Sequence, residues 1–177
     1  MRNRRLAVHV NKGATPPCIS LTYEYSGMNL DEFTFFHRLR VRWAEVDRQD
    51  VVFNGNYFLY FDVAIADYWR AIGFNYPDDI VQKFGTDIYA ARATADYLGS
   101  ARYDEELDIG CRVSRIGRSS MNFRFGIWRG GDLLTTGELV YVNADPATRK
   151  SAPWPESLRR AILDYENRTP ELAAPAS

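Results

Sequence analysis

Asp47 is the first residue of this chain whose type and setting invite chemistry. It stands in a polar loop, Glu45 to Gly55, seven residues before Asn54 and ten before Tyr57, where a long apolar run begins. A lone carboxylate can act as a nucleophile or as a general base on water. A helix start beside it would add unpaired N–H groups and the positive end of the macrodipole, suited to a carbonyl oxygen that gains negative charge. The spacing lets the loop fold back and carry Asp47 over that helix start, so Asp47 and Asn54 form a candidate catalytic pair. Each also has a plainer use, Asp47 as the head of an Asx turn and Asn54 as a helix cap.

Other residues of interest are scattered more widely. Asp62 lies inside the apolar run. Arg118, Ser119 and Ser120 follow Gly117 at a strand turn, and Arg149 and Lys150 follow a later strand. Arg38, Arg40 and Arg42 alternate with His37, Leu39 and Val41, which reads as a half-buried strand with a cationic outer face. That face is either a phosphate-binding stripe or simply a solvated one. The only histidines are His9 and His37, both ahead of the apolar run, and there is no G-x-S-x-G. Ser-His-Asp and Cys-His hydrolases are disfavoured on that ground. Nor is there a P-loop or a dinucleotide-binding glycine pattern.

Elements must hold these residues in place. The 177 residues carry 46% hydrophobic and 25% charged side chains with a net charge of -1, an ordinary globular composition without the basic excess of a nucleic-acid binder. The apolar run contains Asp62, Asp67 and Arg70, so it is not expected to enter a membrane. Cys18 and Cys111 make no CxxC and have no neighbours at zinc-ligand spacing, so neither metal nor cofactor is expected. Residues 1 to 23 carry Arg2, Arg4, Arg5 and Lys12 without an acid, and Pro16 and Pro17 break any amphipathic helix there. A tail over residues 1–30, with Met28 as a natural alternative start, is expected rather than a transit peptide. A second tail is expected over 169–177, leaving a single domain at 31–168.

Within that domain a strand is expected from Phe33 to Trp43. A helix over Asn56 to Ile72 follows, capped by Asn54 or Asn56 and stopped by Gly73. Its apolar residues cover nearly every side, so it must be surrounded. Extended segments at Thr86–Leu98, Leu107–Ile116, Met121–Trp128 and Leu133–Asn143 supply the wrapping as an antiparallel meander, with a hairpin at Gly130-Gly131-Asp132. A short helix from Glu156 to about Tyr165 closes the domain. The expected class is therefore α+β, a curved antiparallel sheet around a central helix in the order β-α-β-β-β-β. Its uncovered edge calls for self-association.

The ordered set Val41-Arg42-Trp43, Asp47, Val51-Val52-Phe53, Asn54-Gly55-Asn56-Tyr57 and Tyr60-Phe61-Asp62 resembles the hotdog-fold acyl-CoA thioesterases. The likeness is to the branch that contains 4-hydroxybenzoyl-CoA thioesterase. The later run from Ala95 to Leu158, with its Gly-Arg-Ser-Ser turn and its exit before proline, resembles the same branch. The resemblance spans about residues 33 to 165. It implies hydrolysis of an acyl-CoA with Asp47 as the catalytic carboxylate and the Asn54 backbone N–H polarising the thioester carbonyl. It also implies CoA contacts from Arg118, Ser119 and Ser120; Tyr57 and Asp62, on the aromatic-rich helix, are further candidates for substrate contact, and a dimer or tetramer in the cytoplasm is expected. Two departures stand out: Asp50 where the family often has glycine, and Asn54 where it often has histidine or tyrosine. They leave room for the alternative of a non-catalytic hotdog protein that binds acyl-CoA or acyl-carrier thioesters.

Overall fold

The structure, a computed structural model, describes residues 6–10, 19–23 and 28–173. Within the expected N-terminal tail, β1 (Leu6–Val10) and β2 (Ile19–Tyr23) pair as an antiparallel ribbon. The readings placed on Arg2, Arg4, Arg5, Lys12, Pro16, Pro17 and Cys18 lie outside the described residues.

β3 (Phe35–Arg40) keeps the expected alternation, with Phe35, His37 and Leu39 inward and Phe36, Arg38 and Arg40 outward. It is shorter than expected because Trp43 turns into a short 3-10 segment, Trp43–Glu45. Its arginines are not a free cationic stripe. Arg38 pairs with Asp108 at 2.8 Å, Arg40 with Glu106 at 2.7 Å, and Arg42 with Glu45 at 2.8 Å.

Helix α1 (Asn56–Ala71) follows and ends at Gly73, whose φ of +86° suits the glycine stop. Then come β4 (Asp87–Tyr97), β5 (Glu106–Ile116), β6 (Ser120–Arg129) and β7 (Asp132–Ala144). β5, β6 and β7 form the expected meander, and Gly130 and Gly131 take positive φ in its hairpin. β4 does not join that meander in sequence. It pairs with β7, giving the sheet order β3-β5-β6-β7-β4. The helix lies across one sheet face and delivers the chain to the far edge. After β4 the chain returns beneath Leu134, whose carbonyl accepts from the Leu98 and Gly99 amides.

The helix contact with the sheet is close at one point. A Cβ on Gly137 would lie 2.4 Å from the Phe61 ring, and that ring stacks on Phe125 with centroids 4.3 Å apart. Tyr57, Tyr60, Phe61, Ala64, Ile65, Tyr68 and Trp69 are the buried residues of α1. The helix is not surrounded by its own chain, as its composition led one to expect: Leu59 is 58% and Val63 40% exposed. The residues that break amphipathicity form a second apolar face without a partner in the chain.

At the C-terminus α2 (Glu156–Tyr165) buries Leu158 and Ile162, and β8 (Glu171–Leu172) lies parallel to the end of β5. The expected tail from residue 169 is thus partly built into the sheet, and 174–177 lie outside the described residues. Glu166 anchors this strap. Its Oε1 accepts from the Tyr68 hydroxyl at 2.8 Å and from the Val113 N–H at 2.7 Å, beside a β5 irregularity that frees that amide from the ladder.

Burial pushes the Glu166 carboxyl above the ordinary carboxylate range, against the lowering pull of Tyr68, Val113 and Arg112. The folded state therefore holds this proton more tightly than the unfolded chain. The resulting stability is present at acid pH and lost as pH rises through the folded pKa. Thermal melts from pH 4 to 7 are expected to show wild type losing Tm relative to Glu166→Gln; a pH-independent gap would contradict this. Gly137→Ala should cost about 1–3 kcal/mol in urea unfolding, because the Phe61 ring must leave its seat between α1 and the sheet.

Candidate active site

Asp47 sits in the loop between the 3-10 segment and α1, and the backbone explains how that loop folds back. Val46 bridges Val52, the Asp47 amide donates to Val51 O at 2.8 Å, and the Val52 amide donates to Ala101 O at 2.8 Å. Asp50 closes the turn with φ +59°, a left-handed conformation in which glycine is easiest and aspartate tolerable. This accounts for Asp50 at a place where the resembled family often has glycine.

Glu45 braces the loop against the helix. Its carbonyl accepts from the Phe53 amide at 2.9 Å and from Asn56 Nδ2 at 2.8 Å, and its carboxylate accepts from the Tyr60 hydroxyl at 2.8 Å. That network shows what the asparagines do. The residue at the N-cap is Gly55, with no side-chain cap, and Asn56 spends its amide on the loop. Neither asparagine caps the helix through its side chain. The Asn56 N–H bonds Phe53 O and the Phe58 N–H bonds Gly55 O, whereas the Asn54 and Gly55 amides have no acceptor among the described residues.

Asp47 and Asn54 line one cleft of about 340 Å³ together with Val51, Phe53, Tyr57, Tyr97 and Gly99. Asp47 is half-buried. Its Oδ1 accepts from the Gln49 N–H at 2.7 Å, the Asx turn that its loop position allows, and its Oδ2 has no partner among the described residues. The bracing role and an open carboxylate oxygen coexist. Tyr57, a candidate substrate contact, is buried in the wall, where its hydroxyl oxygen accepts from the Ala101 N–H at 3.1 Å. Burial pushes the Tyr57 phenol up, so it stays protonated.

The other candidates lie elsewhere. Asp62 belongs to a second cleft of about 250 Å³, shared with Ile65, Trp69, Tyr76, Ile88 and Tyr141, and accepts from the Tyr141 hydroxyl at 3.2 Å. Arg118, Ser119 and Ser120 form the β5–β6 turn, where Ser119 O accepts from the Asn143 N–H at 2.8 Å. That turn is a full β5 length, roughly 33 Å, from the end of the sheet where Asp47 stands. Within one chain these residues do not meet Asp47. Arg149 lies with the turn's end of the sheet, its guanidinium 4.7 Å over the Tyr89 ring. His37 Nδ1 is 2.7 Å from Asp67 Oδ2, about 16 Å along α1 from the helix start, and so plays no part in the cleft.

Two site residues escaped sequence reasoning. Glu45 carries a carboxylate two residues before Asp47, the one local signal that could have drawn attention to it. Tyr97, whose hydroxyl donates to Asn54 O at 2.9 Å, comes from a strand 43 residues away, and no local pattern points to it. Among the described residues no group of three or more His, Cys, Asp or Glu could hold a metal ion. Among the described residues no helix is long and apolar enough to cross a membrane.

Residues 49–136 match the family model of the Thioesterase superfamily. The chain is 26% identical to the Bacillus subtilis protein YsmA over 132 residues, 74% of this chain and 86% of that one. A thioesterase from Thermus thermophilus, solved with coenzyme A and Zn, superposes with a TM-score of 0.67 at 27% identity, covering 78% of this chain and 98% of the other. A DHNA-CoA thioesterase from Staphylococcus aureus superposes with a TM-score of 0.66 at 26% identity, covering 71% and 86%. The helix laid across an antiparallel sheet is thus the hotdog fold, and the segment from Gln49 through α1 and β4–β6 into β7 matches the Thioesterase superfamily.

Proposed function

We propose that the protein hydrolyses an acyl-CoA thioester to the free acid and CoA, with Asp47 as the catalytic carboxylate. The observation that carries this reading is one cleft that Asp47, with its open Oδ2, shares with Asn54, whose amide has no acceptor just ahead of a 16-residue helix. A thioester carbonyl lodged against that amide would have its developing negative charge met by an N–H donor and by the helix dipole. Asp47 then either attacks the carbonyl carbon, expelling CoA thiolate and forming a mixed anhydride that water cleaves to the free acid and Asp47, or takes a proton from a water that attacks the carbonyl and expels the thiolate. The Gln49 N–H holds one carboxylate oxygen and leaves the other for this work.

The reading includes a dimer across β4. That strand is a sheet edge, and Ala90, Ala91, Arg92 and Ala93 in its middle are all exposed, an edge guarded by a single charge. Tyr97 at one end borders the cleft, while Asp87 at the other pairs with Ala144, close to the β5–β6 turn. Antiparallel pairing of two β4 edges sets these ends side by side. The second cleft and Arg118 of the partner subunit then approach Asp47, and Leu59 and Val63 gain cover. This supports the acyl group lying toward Asp62 of the partner subunit and the CoA phosphates toward the partner's Arg118, Ser119 and Ser120.

Asp47→Asn is expected to lower kcat on an acyl-CoA panel by about 100-fold or more in a thiol-release assay, with the fold unchanged. Turnover equal to wild type would exclude the mechanism. Leu59→Asp should shift the protein toward monomer in sedimentation and lower activity with it; an unaltered dimer would remove the β4 interface from the reading.

A further inference from the structure

We propose that Phe53 is a substrate-contact residue that selects for the long arm of a CoA thioester, and that Gly55 is glycine in order to seat its ring. The proposal rests on the thioester reading above and deepens it. Gly55 has φ −64° and ψ −28°, helical values that any L-residue adopts, so its backbone does not call for glycine. What excludes a side chain there is the Phe53 ring: a Cβ on Gly55 would lie 2.8 Å from Cε1 and 3.3 Å from Cδ1. The ring is laid against bare backbone at the helix start. It belongs to neither buried cluster of the domain. It lines the cleft with Asp47 and Asn54 yet is 54% exposed, so it stands at the mouth with much of its surface open.

The backbone behind the ring is pinned on both sides. The Phe53 N–H donates to Glu45 O at 2.9 Å, and the Asn56 N–H donates to Phe53 O at 2.9 Å. The second bond sets the plane of the Phe53–Asn54 peptide, whose N–H is the one offered to the thioester carbonyl. Carbonyl donor and ring therefore sit on neighbouring residues of one fixed stretch. A carbonyl held by that N–H sends one of its two substituents inward and the other out through the mouth. The outward one is the pantetheine arm, because the nucleotide at its far end is too large and too charged for the cleft. The arm alternates methylenes with flat amides, and both pack well on an open aromatic face.

Phe53→Ala is tested on two thioesters of one acyl group, the CoA ester and the S-ethyl ester, which has the same carbonyl and no arm. An exposed ring outside the core can be removed without loss of the fold. For the CoA ester, kcat/KM is expected to fall about tenfold, chiefly through KM, while the S-ethyl ester stays within about twofold. Equal falls on both esters, or no fall on the CoA ester, would overturn the proposal. Gly55→Ala pushes the ring off its seat, and the ring, being exposed, swings aside rather than unfolding the helix start. The same arm-dependent loss is expected from it, with nothing further lost when it is added to Phe53→Ala. A full additional loss in the double variant would show that the glycine does not act through the ring. A wild type that cleaves neither ester would count against the acyl-CoA reading alone. Calorimetric titration with CoA itself would then decide Phe53: binding about tenfold weaker in Phe53→Ala supports the contact, and equal or absent binding in both proteins overturns it.

Discussion

The seat of Phe61 governs the rest of the molecule. Its ring stacks on Phe125 and lies against the bare backbone of Gly137, the cross-strand partner of Phe125, so at that point only the Phe61 ring separates α1 from the sheet. A helix pressed this close has little freedom to slide or roll, because neighbouring strands and helix ridges are packed at near-crystalline density. Its first turn is therefore delivered to a fixed place at one end of the sheet. The loop from Val46 to Phe53 only has to fold against that turn, which it does through the Glu45 carbonyl and the Val46–Val52 bridge. The chemistry of the cleft is local, but its precision comes from an aromatic contact about one and a half turns along the helix.

Much of this was legible in the residue pattern. The alternation in β3, the spans of β5, β6 and α2 to within a residue, and the glycine stop at Gly73 all follow from local rules. The loop acid ahead of a helix was equally readable, because an Asx turn and a helix start are short-range events. What the pattern could not carry was pairing. Nothing in Thr86 to Leu98 says whether the strand lies beside β5 or beside β7, since both neighbours offer the same alternation. The Arg118 turn suffered likewise: its composition suits an anion, but its distance from Asp47 is a property of topology.

The helix composition held a subtler lesson. An all-round apolar helix calls for cover on every side, yet the sheet covers one face and leaves Leu59 and Val63 in the open. Hydrophobic patterning reports that a face is to be buried without saying by which chain. The charges read in a similar way. Arg38, Arg40 and Arg42 looked available in sequence, and each turns out to be answered by a carboxylate on a neighbouring strand or within the same turn. Cross-strand charge pairs of this kind do more for register than for net stability.

The C-terminal strap has a consequence in time as well as in space. Glu166 satisfies a hydroxyl 98 residues earlier in the chain, and Asn167 reaches back 136 residues to the Asp31 carbonyl. Contacts of such long sequence separation form late and close large loops. During synthesis the sheet and the central helix can emerge and collapse while the Val113 amide and the Tyr68 hydroxyl still wait for their acceptor. The domain is sealed only when the segment carrying Glu166 and Asn167 has left the ribosome, so a nascent chain stalled before that point would hold an assembled cleft on an unfinished core.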